Sequence, residues 1–322
     1  MKLHVRNLKI NKIFMRLQNQ RQVYGVTLLE LGRNNDSIVV LEADLGKSTM
    51  TSLFEQEFPD RFFEMGIGEA NMTSFAAGLS LTGKIVFTNS FAVFAAGRSF
   101  DQIRQGICIS ALNVKIIGSS AGLSDFGDGA THQSVEDIAI MRAIPNMTVL
   151  APADGIETRK IILKVADYNG PVYIRLNRHD LPDVFPEDQE FVIGKPYMLR
   201  DGKDIVVFGN GIMVSKALMA AEELEKKGIS VRVVNVSSLK PVDEEAIKRL
   251  AQDMKGVVTA EEHSIIGGLA SLITFNLRGF GIPFRHVAIE DMFGKSAHNY
   301  DELLEEYKLT SDNIINAVNS IL

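Results

Sequence analysis

The 322 residues are 46% hydrophobic and 23% charged, with 34 Lys or Arg against 40 Asp or Glu, a formal charge of −6. That length and composition suit two soluble globular domains, and a mildly acidic chain lacks the clustered cations that nucleic-acid binding requires. The single cysteine, Cys108, excludes an intrachain disulfide and disfavours a Cys-based zinc site. No apolar run approaches the roughly 20 residues of a membrane helix, so a cytoplasmic protein with no membrane partner is expected.

The N-terminus is compositionally odd. Met1 to Leu29 holds Lys2, Arg6, Lys9, Lys12, Arg16 and Arg21 and no acid. It reads as a basic arm or helix on the surface, or as an arm that docks on an acidic partner. Ile13-Phe14-Met15 is too short for a signal-peptide core, and an organellar transit peptide is the lesser reading.

From residue 37 onward, β-branched runs alternate with helical patterns. Strands are predicted at Ser37–Glu42, Ile85–Thr88, Val114–Gly118, Thr148–Ala151 and Val172–Leu176, then at Ile205–Gly209, Val231–Val236, Gly256–Thr259 and His286–Ile289. Helices are predicted at Ser74–Leu81, Ser99–Ser110, Ser134–Ile144, Ile156–Asp167, Val214–Lys227 and Asp243–Asp253. This alternation, with several continuously apolar strands, predicts an α/β fold: two open domains with mostly parallel sheets. The stretch 180–200 has Pro182, Pro186 and Pro196 among acids and no periodicity. It separates a first domain at 1–185 from a second at 201–322, with 186–200 as the linker.

Open parallel sheets bind ligands beyond the carboxyl ends of their strands, and four segments stand out there. Asp44 and Ser48, in Ala43-Asp44-Leu45-Gly46-Lys47-Ser48, read as helix caps or as the polar edge of a cleft. Glu69, after Gly66-Ile67-Gly68, heads an apolar helix that is expected to be buried. It is either held by the helix dipole or desolvated and suited to proton donation. Phe91 and Phe94, among Ala and Gly, are core packing or a flat wall for a planar ring. Phe100, Ile103 and Ile107 continue an ordinary helix face. Gly127-Asp128-Gly129-Ala130-Thr131-His132-Gln133 gathers an acid, a hydroxyl, a histidine and an amide on one glycine-rich loop. Behind these come Arg175, Arg178 and His179, either a phosphate-binding cluster at the cleft edge or surface ion pairs. In the second domain, Gly209-Asn210-Gly211 reads as a turn, and the place of Glu261-Glu262-His263 is left open.

In this order the segments resemble the transketolase family of thiamine diphosphate enzymes. The resemblance covers nearly the whole chain from about residue 20, but only the C-terminal half of the family's full-length protein. Asp44-Leu45 with Ser48 looks like the entry to the family's pyrimidine-binding domain. Gly66-Ile67-Gly68-Glu69 is similar to its Gly-Ile-x-Glu motif, and Phe91 and Phe94 to its cofactor-stacking aromatics. Gly127–Gln133, followed by Ile144-Pro145-Asn146 and Pro152-Ala153-Asp154-Gly155, is the most specific stretch. The family's Gly-Asp-Gly metal motif is not matched, because Asn146 comes too early and Asn169 too late.

The resemblance implies a pyrimidine-binding domain plus the family's C-terminal domain, the second subunit of a split transketolase. It would pass a two-carbon ketol unit from a ketose phosphate to an aldose phosphate. An N-terminal partner subunit would hold the thiamine diphosphate's diphosphate and its Mg2+ or Ca2+. An α2β2 assembly is implied, with a β–β homodimer core. By the same resemblance Glu69 hydrogen-bonds the pyrimidine nitrogen and favours the imino tautomer of the cofactor's amino group, which acts as internal base. Phe91 and Phe94 pack on the pyrimidine, Leu45 and Ile67 hold the bent cofactor, and Asp44 and Asp128 bind cofactor or sugar polar groups. Ser48 and Arg178 contact the substrate phosphate, and His132 the sugar chain, with a catalytic role. Ser120 stands where many members have His or Gln, and Ala70 replaces the His of a frequent Glu-His pair. The alternatives are a deoxyxylulose phosphate synthase-like subunit, a transketolase for an unusual sugar phosphate, a 2-oxo acid dehydrogenase β subunit, or a non-enzymatic regulatory protein retaining the fold.

Overall fold

The structure, a computed structural model, describes residues 6–10 and 13–322, with side chains from Arg16 onward. The first half runs β1 (Arg6–Ile10), β2 (Ile13–Asn19), α1 (Gln20–Asn34), β3 (Ile38–Glu42), α2 (Gly46–Thr49), α3 (Ser52–Glu57), β4 (Phe62–Glu64), α4 (Glu69–Ser80), β5 (Ile85–Phe91), α5 (Ala92–Gly97), α6 (Phe100–Gln102), β6 (Val114–Ser119), α7 (Asp137–Ala143), β7 (Thr148–Leu150), α8 (Gly155–Ala166), β8 (Val172–Arg175) and β9 (Asp180–Pro182). The second half runs β10 (Tyr197–Arg200), β11 (Ile205–Gly209), α9 (Met213–Glu225), β12 (Val231–Asn235), β13 (Ser238–Lys240), α10 (Glu244–Ala251), β14 (Gly256–Ser264), α11 (Leu269–Asn276), β15 (Phe284–Ile289), α12 (Tyr300–Glu306) and α13 (Ser311–Asn319).

Two main sheets result. The first has the order β13-β7-β8-β6-β5-β3-β4 and the second β10-β12-β11-β14-β15. Every neighbouring pair is parallel except β13 on β7 and β10 on β12, which are antiparallel edges. β3 shows why its strand is apolar from Ile38 to Leu41, ahead of the buried Glu42 that ends it. Ile38 and Val40 face one core with Tyr24 and Leu28 of α1 and Ile161 and Ile162 of α8. Val39 and Leu41 face the other, with Met72 and Ala76 of α4 and Ile138 of α7. Helices cover both faces, so both parities of these four residues are apolar, and Glu42 is buried only with the Thr49 and Thr51 hydroxyls donating to it. That second core continues without a break into Phe208 and Val234 of the second sheet and Leu269 of α11.

Several expectations need correction. The N-terminal segment is neither a loose arm nor one helix. β1 and β2 form a hairpin whose second strand pairs with β9, and α1 follows directly; Met1–Val5 and residues 11–12 lie outside the described residues. The helix expected from Ser74 begins at Glu69, and it is two-faced rather than buried, with Asn71, Ser74, Phe75 and Gly78 exposed. The expected helix Ser99–Ser110 is a short turn that passes into π winding over Ile103–Cys108, where Ile109 N bonds Arg104 O. The helix predicted from Ser134 starts at Asp137, because Ser134 is extended and bridges Gly122. Of the stretch 186–200 read as a linker, Tyr197–Arg200 is a strand, and Phe191 and Tyr197 are buried.

Candidate active site

The carboxyl ends of β3, β5, β6 and β8 lie side by side, which brings together segments far apart in the chain. Glu69 is the first residue of α4 and is 4% exposed. Its helix is preceded by Gly68 with no side-chain cap, and its carboxylate points elsewhere. Oε1 accepts a 2.8 Å hydrogen bond from Arg98 Nη1, and Oε2 takes none from the described residues. Arg98 lies four residues after Phe94, one helical turn on, which sets its guanidinium over that ring with Cζ 4.0 Å from the centroid.

Phe91 closes β5 and is buried; Phe94 is half-buried on α5. Their rings stack at 6.1 Å and 17° between planes. His132 meets both edge-on, 5.2 Å from Phe94 and 6.2 Å from Phe91, with Nδ1 3.0 Å from Thr131 Oγ1. Arg178 lies 5.8 Å from the centre of Phe91, and its Nη1 donates to Asp125 Oδ2 at 2.5 Å. Burial raises the Asp125 pKa, while Arg178, close by, works against that rise. The result is a continuous line Glu69–Arg98–Phe94–Phe91–His132, with Arg178 and Asp125 at its far end.

Ser48 enters through its backbone. Arg21, near the start of α1, donates from Nη1 to Ser48 O at 2.8 Å and from Nη2 to Arg178 O at 3.1 Å. Burial, helped by the charge of Arg178, lowers the Arg21 pKa to about 10. Two guanidiniums close enough to repel, with Arg21 Nε buried and without a partner among the described residues, make a place suited to an anion. Asp44 and Ser48 are not caps: α2 starts at Gly46 after Leu45, with no side-chain cap bond, and Asp44 is exposed with φ 60°. The half-buried Leu45 and the exposed Ile67 sit on neighbouring loops, because Glu64 Oε1 accepts from Asp44 N at 2.9 Å and from Gly66 N at 2.8 Å. Asp128 is exposed and leads the 3-10 turn Gly129–Thr131.

Arg175 does not join the phosphate cluster. It is 6% exposed and bonds Asp137, 3.0 Å from Oδ2, and the backbone carbonyls of Ser134 and Glu262. The Glu261-Glu262-His263 run packs between the halves: Glu262 Oε1 accepts from Leu123 N at 2.7 Å, and its Oε2 from Asn177 at 3.3 Å. Sequence reasoning gave no role to Arg98 or Asp125, and it left Arg21 in the basic arm. The turn spacing from Phe94 was the available signal for Arg98. Arg21 and Asp125 carry no local signal, since their partners lie 157 and 53 residues away.

A flat heteroaromatic ring fits this site. A stacked aromatic pair forms one wall, Glu69 offers an open carboxylate oxygen, and Ser90, Ser119 and Ser120 keep buried hydroxyls without partners among the described residues at the ends of β5 and β6.

Known proteins resemble this chain over both of its halves. Residues 18–184 match the family model for the transketolase pyrimidine-binding domain, and residues 194–314 that for the transketolase C-terminal domain. A putative transketolase C-terminal section from Methanocaldococcus jannaschii is 46% identical, covering 92% of this chain and 94% of that protein. The 6-deoxy-6-sulfo-D-fructose transketolase subunit SqwH from Clostridium sp. is 42% identical, covering 94% of each. A solved structure described as a split gene transketolase, inactive beta4 tetramer, superposes with a TM-score of 0.84 at 48% identity, covering 94% of this chain and 97% of that one. The chain belongs to the transketolase family of thiamine diphosphate-dependent enzymes, and it corresponds to the C-terminal subunit of a split transketolase.

Proposed function

We propose that the chain forms the pyrimidine side of a shared active site, moving a two-carbon ketol unit between sugar phosphates together with an N-terminal partner subunit. The observation that carries this is Glu69, buried beside the Phe91–Phe94 wall with one carboxylate oxygen held by Arg98 and the other open. Thiamine diphosphate, when bound, supplies the carbon nucleophile and electron sink of ketol transfer. Glu69 would hold the ring nitrogen of its pyrimidine, while Arg98 fixes the carboxylate's orientation. Phe91 and Phe94 would pack on the ring and exclude water from it, with Leu45, Ile67 and Asp44 at its margin. Arg178, Arg21 and Ser48 would take the substrate phosphate, and Asp128 and His132 the sugar hydroxyls.

The partner would carry the diphosphate site and its Mg2+ or Ca2+. An α2β2 assembly with a β–β core is supported by the large apolar side chains left exposed on and around α4: Ile67 at 76%, Leu81 at 74%, Ile109 at 64% and Phe75 at 42%. The test is ketol transfer from xylulose 5-phosphate to ribose 5-phosphate, with Mg2+ and thiamine diphosphate. It is run on the chain alone and then with the chain encoded beside it. Silence alone and activity together is the expected result, with Glu69→Ala abolishing turnover. Full activity of Glu69→Ala in the assembled enzyme would sink the proposed role.

A further inference from the structure

The loop from Ala121 to Gln133 carries Asp125, Asp128 and His132, yet much of what fixes it comes from the second half of the chain. Gln133 is 3% exposed, and its Nε2 donates to the carbonyls of Lys295 at 2.9 Å, Asp125 at 3.1 Å and Leu123 at 3.5 Å. Lys295 belongs to the segment Phe293–Ala297 after β15. In the same segment Ala297 N donates to Phe126 O at 2.9 Å. Two close approaches fix the fit. A Cβ on Gly294 would collide with the Gln133 amide, and one on Gly129, at φ +73°, with Ser296. The segment is itself anchored to the end of α12 and the residues around it. Tyr307 Oη donates to Phe293 O at 2.8 Å, Lys295 pairs with Glu306, and His298 N donates to Glu302 Oε2 at 3.0 Å. From its own domain the loop receives Ala121 N on Leu176 O, the Gly122–Ser134 bridge at its base, Arg178 through Ser124 Oγ and Asp125, and ring contacts from Phe91, Phe94 and His179, none of which reaches Gln133 or Gly129.

We propose that residues 293–297 act as a brace for the substrate side of the site, with Gln133 and Gly294 as positioning residues. The brace holds loop 121–133 so that His132 meets the Phe91–Phe94 wall and Asp125 meets Arg178. The second domain thereby shapes sugar binding although none of its own residues enters the site. The proposal rests on the reading of the site given above for the identity of the sugar ligand, but not for the brace itself.

The experiment uses the full chain and the variant Gln133→Met, which keeps the side chain's volume and removes its donor. Amide hydrogen exchange is followed over residues 121–132 in the chain by itself. Half-saturation for the aldose phosphate acceptor and for thiamine diphosphate is measured with the partner present. Loss of a buried hydrogen bond predicts exchange about tenfold faster in 121–132, with β11 and β14 unchanged. Acceptor KM should rise about tenfold, while cofactor half-saturation stays within about twofold. Tyr307→Phe, far from the site, should shift exchange in the same direction by a smaller factor, and it serves should Gln133→Met fail to fold. Unchanged exchange in these variants overturns the brace whatever the activity. Faster exchange with unchanged acceptor KM overturns the positioning role. No ketol transfer by the unsubstituted assembly counts against the reading of the site, and the exchange measurement still decides the brace.

Discussion

Arg175 and Arg178, three residues apart, are predicted to fail in opposite ways. Arg175→Leu removes the guanidinium that faces Asp137, a carboxylate with no exposure, and leaves it, among the described residues' side chains, the Tyr173 hydroxyl at 2.8 Å. The carbonyls of Ser134 and Glu262 lose a donor in the same step. Breaking a buried pair from one side costs about 3–5 kcal/mol, and that should appear as a lower urea midpoint by circular dichroism. Adding Asp137→Asn removes the stranded charge and should recover about 1–2 kcal/mol, a coupling that distant residues would not show. Arg178→Leu acts on a side chain that is 34% exposed but paired with Asp125, which is 5% exposed, so its stability cost should lie between the surface and buried limits, about 1–3 kcal/mol. Its effect should fall on the KM for phosphorylated sugars in the assembled enzyme. A charge-assisted hydrogen bond of about 1.5–3 kcal/mol corresponds to about a 10- to 150-fold rise. Normal stability of Arg175→Leu together with a raised KM would refute the division of roles.

Three further outcomes are expected. Phe94→Ala removes a stacked aromatic pair and the seat of Arg98, so thiamine diphosphate half-saturation should rise about 2- to 12-fold with little loss of stability. Glu157 is fully buried against Asn235, Ser237 and Ala153 N, and burial raises its pKa from 4.5 to about 7. Because the folded pKa is the higher one, its contribution is complete below about pH 4.5 and is lost as pH rises through 7. Wild type should therefore lose up to about 3 kcal/mol relative to Glu157→Gln between pH 4.5 and 7.5, as read by urea titration at each pH. Arg98→Ala should lower kcat while leaving the fold intact, since it frees the Glu69 carboxylate from its only described partner; an unchanged kcat would show that the pair does not orient it.

The positions of the site motifs were legible because parallel strands place their carboxyl ends along one edge. The loops that follow β3, β6 and β8, together with the last residue of β5, were enough to gather Asp44, Phe91, His132 and Arg178. Phe91 and Phe94 were visible as a pair, since the last residue of a strand and the first turn of the next helix are close by construction. Arg175 was misplaced for a geometric reason. As the last residue of β8 it points between the two sheets, whereas Arg178, past the strand end, turns toward the cleft. Asp44 was misread as a cap because nothing local announces a left-handed backbone at a non-glycine residue. β4, β9 and β13 have three residues each, too few to show a period of two, and their existence is decided by neighbours distant in the chain.

β13 gives the short strand a larger meaning. Ser238–Lys240 leaves the second sheet and lies antiparallel along β7, so the outermost backbone groups of the first sheet are covered by chain from the other module. Ala151 N on Ser237 O extends the seam, and Glu157 bonds across it to Asn235 and Ser237. A pyrimidine-binding module cut away at residue 190 would therefore carry a bare strand edge, the feature that invites self-association and fibre-like stacking. The two modules are stitched rather than strung together, and recombination that trades one without the other has to supply a new selvedge for β7.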